Sequence, residues 1–445
     1  MVITPEVHDS SRDKAGAVPT TVSGSDEHAS RALPAKVGHH LVASVRGVEK
    51  RLARQPLARL GTAGPRTAWW MAGVLRGRLD PQTPGLPRPK LTPSLIGHVM
   101  MDESIMAMAV GPNQFPRRAD YERVGAELAD ARSTFAERGW LDDPASFHQT
   151  PPPIDDLTTT RGWALGHGYD RIWWPSGYVP PEGLPGRERW LGFEANQTAS
   201  AWLLRHDDRP RPWVICIHGF GTGSVFMDLF SFHAAHLHNE LGLNVAAIVL
   251  PMHGARKVNR FSGEEFLGFD LMNSVYGLAQ ALWDIRRLLT WVRAQEPTGI
   301  GLFGVSLGGL MTALTAAFET DLRVALAGIP MIDFPDLIRH HAPRHLHMRS
   351  IEHGILDGAG QEVHRVVSPL AMPTLVAPEA RAIFAGIGDR LAPPEQARRL
   401  WEHWDEPETC WFPGNHVGYL WSDKVWRFVD SVLESRGLVD RAPSG

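Results

Sequence analysis

Three residues, Ser306, Asp389 and His416, are of the types that together could attack a carbonyl. A serine hydroxyl is a poor nucleophile until a neighbouring base removes its proton. Histidine can do this near neutral pH, and a carboxylate on its far nitrogen fixes the tautomer. The chain order is nucleophile, acid, base. Ser306 lies in Gly304-Val305-Ser306-Leu307-Gly308-Gly309, after the apolar run 300–303 and before a stretch rich in Ala, Leu and Thr. Strand, tight turn and helix in that order push a serine to the tip of a sheet, and the crowded turn needs glycine at its flanks. The helix start also favours developing negative charge. The plainer reading of this motif is a glycine turn with an incidental serine.

Asp389 follows the apolar run Ile383-Phe384-Ala385 and a Gly386-Ile387-Gly388 turn, and a helix is expected after it. His416 follows Cys410-Trp411-Phe412 and the turn Pro413-Gly414-Asn415. Each of the three thus ends a separate strand, which is far more specific than any one motif. Asp389 could instead be a turn carboxylate bonded to backbone amides, and His416 a loop histidine that moves no proton. Asp333, after the run ending at Ile329-Pro330, is a rival acid at another strand end. A tetrahedral intermediate would also need donors for its oxyanion. The Leu307 N–H is one candidate, and the Phe220 N–H, in His218-Gly219-Phe220-Gly221-Thr222-Gly223, is the other. Losing one such donor typically costs about 3 kcal/mol of transition-state stabilisation. That glycine loop also resembles a dinucleotide loop, but its third glycine falls one residue early and no acid ends the next strand, 244–250. His253, at a further strand end, reads as a loop residue, with a substrate contact as the alternative.

The elements that must hold these residues are short apolar runs at 213–217, 244–250, 299–304, 323–329, 381–385 and 409–412. Helical stretches separate them, notably 225–239, 275–293 and 307–318. Such alternation predicts an α/β fold, a mostly parallel twisted sheet covered by helices on both faces, with its chemistry at the carboxyl ends of the strands. Before them, 187–206 alternates like antiparallel strands, with Trp190, Phe193, Ala199, Trp202 and Leu204 facing inward.

The motifs His218-Gly219-Phe220-Gly221, Gly304-Val305-Ser306-Leu307-Gly308-Gly309, Gly388-Asp389-Arg390 and Gly414-Asn415-His416 resemble, in the same order, those of the α/β-hydrolase superfamily over about residues 185–436. The resemblance is to the esterase, lipase and dienelactone-hydrolase-like branches. It departs from dehalogenase-type members, whose nucleophile is Asp, and from dienelactone hydrolases proper, whose nucleophile is Cys. It implies the α/β-hydrolase fold and an acyl-enzyme on Ser306, formed from a small-molecule ester or thioester without cofactor or metal. In this superfamily a lid commonly occupies the position of residues 333–371. Here that segment carries His340, His341, His345, His347 and His353. Interleaved arginines and the lack of cysteine argue against zinc and for a solvated, partly basic lid, which could favour anionic substrates such as acyl-CoA.

The division expected is a disordered tail at 1–30, a helical N-terminal extension at 31–155 and the hydrolase domain at 156–445, with the lid at about 333–371. Residues 1–30 are polar and aperiodic. Between Arg31 and Arg78 there are ten Lys/Arg and one acid, Glu49. Val37, Leu41, Val45, Val48 and Leu52 recur at helical spacing, so 31–79 holds either a basic helix for a membrane surface or partner, or one packed on the main domain. Pro56 and Pro65 break this pattern, and 68–75 resumes it. Residues 81–93 and 143–154 read as Pro-rich linkers around a helix at 121–140, whose Val124, Leu128, Ala131 and Phe135 share a face. The 445-residue chain has a formal net charge of −4, giving no general pull towards nucleic acid. Cys216 and Cys410 are too few for a disulfide framework and read as buried packing thiols in a reducing compartment. There is no signal-peptide pattern and no spanning run, so the expectation is a cytoplasmic protein, with the basic segment as its one route to a membrane surface. Three other functions fit the same residues: an acyltransferase, a binding protein on the hydrolase fold, and a membrane-surface scaffold. Oligomeric state is not legible.

Overall fold

A computed structural model describes residues 60–76, 85–109, 116–342 and 344–439. The expected tail at 1–30 and the amphipathic run from Val37 to Leu52 lie outside these residues. The first described helices are α1 (Ala63–Leu75), α2 (Pro93–Ala109) and α3 (Arg118–Glu137). Pro65 does not break α1 but sits in its first turn, where a missing N–H costs nothing because that N–H has no helical partner. On α3, Tyr121, Val124, Leu128, Ala131 and Phe135 are buried, the face expected from their spacing.

Next come β1 (Thr158–Ala164), β2 (His167–Pro175), the short α4 (Arg187–Leu191), β3 (Thr198–Leu204), β4 (Trp213–Ile217), α5 (Val225–Ser231) and β5 (Asn244–Val249). Then follow α6 (Leu271–Arg293), β6 (Ile300–Val305), α7 (Leu307–Thr315) and β7 (Val324–Gly328). Three helices fill the next segment: α8 (Phe334–His341), α9 (Arg344–Glu352) and α10 (Ala359–His364). The chain ends with β8 (Arg381–Gly386), α11 (Pro394–His403), β9 (Glu408–Phe412) and α12 (Asp423–Ser435). The run 187–206 corrects the expectation of paired strands. Its first half is α4, entered through Gly186 at φ 73°, followed by a 3-10 turn, and only its second half is β3.

Among the described residues the strands form one nine-stranded sheet in the order β1-β2-β3-β5-β4-β6-β7-β8-β9. The first three pair antiparallel and β3 meets β5 antiparallel. From β5 to β9 every pairing is parallel. This is the α/β-hydrolase arrangement that the motif order implied. Successive strand side chains point to opposite faces. Ile215, Ile217, Ala246, Ile248, Leu302, Ala325 and Ile383 therefore join one apolar layer, together with α3 and α6. Val214, Cys216, Val245, Phe303, Val324, Ala382 and Phe384 join the other, with α12. Burial on both faces explains why these strands read as unbroken apolar runs. Cys216 and Cys410 are both free and buried.

An ion pair lies buried in the core beside the loop after β5. Arg256 and Asp284 form a buried ion pair at 2.9 Å. Arg256 also donates to the Val249 and Asn196 carbonyls, and Ser176 donates to Asp284. Burial works against both charges, pushing the Asp284 carboxyl up and the Arg256 guanidinium down. The pair is therefore better read as fixing the loop than as a large net gain. Asp284→Ala would strand the guanidinium, and should cost about 3–5 kcal/mol in urea unfolding. The double variant Arg256→Met/Asp284→Leu should recover much of that loss. A single variant as stable as the wild type would contradict this reading.

Candidate active site

Ser306 stands at the junction of β6 and α7 with φ 57° and ψ −115°, a conformation few L-residues adopt. The surroundings enforce it. Its N–H donates to the Gly328 carbonyl at 2.9 Å, and its carbonyl accepts from Gly309, Leu310 and Met331. The glycines are needed for close approach. A Cβ on Gly304 would lie 1.9 Å from the Gly308 carbonyl oxygen, and one on Gly308 1.7 Å from that of Ile217.

The loops after β8 and β9 bring the other two residues to this point. Ser306 Oγ lies 2.9 Å from His416 Nε2, and His416 Nδ1 lies 2.7 Å from Asp389 Oδ2. An ionised carboxylate only accepts, so Nδ1 carries the proton and Nε2 is left to accept from the hydroxyl. Asp389 also fills its turn role: its other oxygen accepts from the Leu391 and Ala392 amides. One carboxylate thus makes the contacts that both readings of it require. Burial pulls the His416 pKa down, but Asp389 and then Asp102 outweigh it, so it lies above the ordinary imidazole value. Asp333 is engaged elsewhere, capping α8 through the Asp336 N–H and pairing with Arg399.

The loop after β4 lies alongside the serine: a Cβ on Gly219 would sit 3.2 Å from Ser306 Cβ. His218 ties this loop to the end of β5. Its Nε2 accepts from the Leu250 N–H at 3.0 Å, so Nδ1 donates to the Gly219 carbonyl at 2.8 Å. Gly223 does not present its N–H to a ligand, but donates it to the buried Asp228. Neither the Phe220 N–H nor the Leu307 N–H has an acceptor among the described residues. His253 is buried, bonded to the Pro251 carbonyl and packed edge-on against the Phe220 ring.

Between β7 and β8, His341 and His353 have separate partners. His341 bonds the Leu391 carbonyl, and His353 packs on Tyr121. Among the described residues no group of three or more His, Cys, Asp or Glu could hold a metal ion. Nor is any described helix long and apolar enough to cross a membrane. A surface crevice lined by Tyr178, Trp283 and Arg286, among others, includes none of the three residues above.

Sequence reasoning missed Asp102 and Glu103 on α2, both buried. Asp102 accepts from the N–H groups of Arg390 and His416 and from the Asn415 amide. Glu103 pairs with Arg66 and Arg390. The signal in the sequence is two adjacent acids inside the mostly apolar run Val99-Met100-Met101-Asp102-Glu103-Ser104-Ile105-Met106.

Two Mycobacterium tuberculosis proteins, the uncharacterized proteins MT2702 (strain CDC 1551 / Oshkosh) and Rv2627c (strain H37Rv), are each 40% identical to this chain over 385 residues. The match covers 85% of this chain and 92% of each relative. The chain belongs to the family of these mycobacterial proteins. No family model matches the sequence. Among solved structures, acetyl xylan esterase 1 from Thermoanaerobacterium sp. is similar at a TM-score of 0.45 and 13% identity, covering 67% of this chain and 93% of that one. Acetyl xylan esterase from Paenibacillus sp. R4 is similar at a TM-score of 0.45 and 12% identity, covering 70% and 95% respectively.

Proposed function

We propose that this protein is a serine hydrolase that cleaves a carboxylic ester or thioester through an acyl-enzyme on Ser306. The observation that carries this reading is the continuous run from Ser306 Oγ to His416 Nε2 at 2.9 Å and from His416 Nδ1 to Asp389 Oδ2 at 2.7 Å. As Ser306 Oγ attacks the carbonyl carbon, its proton passes to His416 Nε2, and the carbonyl oxygen becomes an oxyanion. The Phe220 and Leu307 N–H groups, which have no acceptor among the described residues, are its donors. Collapse expels the alcohol or thiol, which takes the proton from His416. Water then attacks the acyl-enzyme with His416 as base, and Ser306 is released. Asp389 holds the tautomer and stabilises the imidazolium throughout. His416 must be neutral to act, so activity should be lost as pH falls through a midpoint above the ordinary imidazole value.

The test is labelling by a fluorophosphonate probe, with p-nitrophenyl esters of graded chain length and acyl-CoA assayed in parallel. Wild type should label with one equivalent and Ser306→Ala should not. Equal labelling of the two would reject Ser306 as nucleophile.

A further inference from the structure

The acid and histidine loops are bonded to each other by Ile387 N–H to the Phe412 carbonyl and Gly388 N–H to the Gly414 carbonyl, both at 2.9 Å. A third element then locks them. Helix α2 lies against both: a Cβ on Gly388 would meet Leu95 at 2.6 Å and Val99 at 3.2 Å. Asp102, fully buried on this helix, places one oxygen 2.9 Å from the Arg390 N–H and 3.0 Å from the His416 N–H. Its other oxygen lies 2.7 Å from Asn415 Nδ2. A single carboxyl group thus grips the residue after Asp389, His416 itself, and the residue before His416.

We propose that Asp102 is a positioning residue for the chemistry at Ser306, holding the Asp389 and His416 loops in register and adding a second negative charge behind the imidazole. This rests on the serine-hydrolase reading above. An isolated buried carboxylate is costly unless its charge is used or paired. Among the described residues no Lys or Arg pairs with Asp102. The charged groups that face it are Asp389 and His416 from the two loops. On its own helix, Glu103 is occupied by Arg66 at 2.6 Å and Arg390 at 2.9 Å, and His98 lies one turn earlier with its Nδ1 buried. Burial, and then Asp389, push the Asp102 carboxyl up to about 7, against the pull of His416 and the two backbone amides. The helix that carries it lies outside the sheet, so a segment preceding the core takes part in the site.

The experiment uses the full-length chain and two readouts. One is the titration of the His416 imidazole by NMR in protein labelled at histidine. The other is the rate of fluorophosphonate labelling, with Ser306→Ala as the unreactive control. Asp102→Asn keeps an acceptor for the two backbone amides but removes the charge. Its His416 midpoint should fall by about 0.5 unit or more, because a nearby negative charge raises it in the wild type. Asp102→Ala removes the grip as well and should label roughly 100-fold more slowly, with Asp102→Asn between it and the wild type. A purely structural residue would leave the His416 midpoint unmoved. An unshifted midpoint in Asp102→Asn, or wild-type labelling by folded Asp102→Ala, overturns the proposal. If Asp102→Ala does not fold, the rate and midpoint of Asp102→Asn decide. If wild type labels no faster than Ser306→Ala, the nucleophile reading has failed, and the His416 titration still tests the coupling to Asp102.

Discussion

Ser306→Ala should lower kcat on any ester the protein turns over by roughly 10⁶-fold, with KM little changed. The size follows from what is removed. Without Oγ there is no covalent intermediate, and the pre-aligned His416, 2.9 Å from that oxygen, has no proton to take. In the proposed mechanism the hydroxyl serves as attacking group, so the dissociation constant of a substrate should survive its removal. His416→Ala should be nearly as damaging. The double variant should be scarcely worse than either single variant, because residues that act as one unit are strongly non-additive. What remains should be roughly 10³-fold over water, from binding and from the proposed oxyanion donors, the Phe220 and Leu307 amides. Steady-state kinetics with active-site titration would measure all three variants. Independent losses that multiply in the double variant would break the proposed unit apart. The backbone should hold in each case, because the strained Ser306 conformation is set by main-chain bonds to Gly328, Gly309, Leu310 and Met331, none of which uses the side chain.

The part of the molecule that chemistry most constrains is the most legible in sequence. Six core strands match their apolar runs to within one residue at each end; all but β9 are buried along their whole length, which demands mostly apolar residues. The three site residues are legible for a related reason: each follows such a run, Ser306 at once and Asp389 and His416 after a short turn. The outer sheet is not. Strand β1 is exposed along most of its length, so it has no inward-facing stripe to read. Its hairpin to β2 turns on Leu165-Gly166, with Leu165 at φ 51°, where Asn-Gly or Asp-Gly would have signalled the turn. The stretch 225–239 reads as one helix, but His233 at φ 45° ends the first part after α5. Asp102 is illegible for a different reason. Periodicity identifies which residues are buried as apolar packing, and it treats an acid in an apolar helix as an interruption. Only the two loops packed against that helix, more than 280 positions away in sequence, supply its partners.

Asp389→Asn should reduce kcat by roughly 10⁴-fold while Asp333→Asn leaves it within about threefold, which separates the two acids that the sequence offers. The amide at 389 can still cap the Leu391 and Ala392 amides with its oxygen, so the loop should keep its shape. The other end then presents NH₂ to His416 Nδ1 where a carboxylate stood 2.7 Å away. The ring is driven to the tautomer that donates from Nε2, and the serine proton loses its acceptor. The imidazolium also loses its main stabilising charge, so whatever activity remains should reach its half-maximum at lower pH than in the wild type. Asp333→Asn behaves differently because that carboxylate caps α8 and pairs with Arg399, and it touches neither His416 nor Ser306. Its loss should appear as about 1 kcal/mol of stability from the weakened cap and ion pair. The pH–rate profile of Asp389→Asn discriminates more sharply than its kcat. A residual profile with the wild-type midpoint would mean that Asp389 holds the loop alone, and that the charge behind His416 comes from elsewhere.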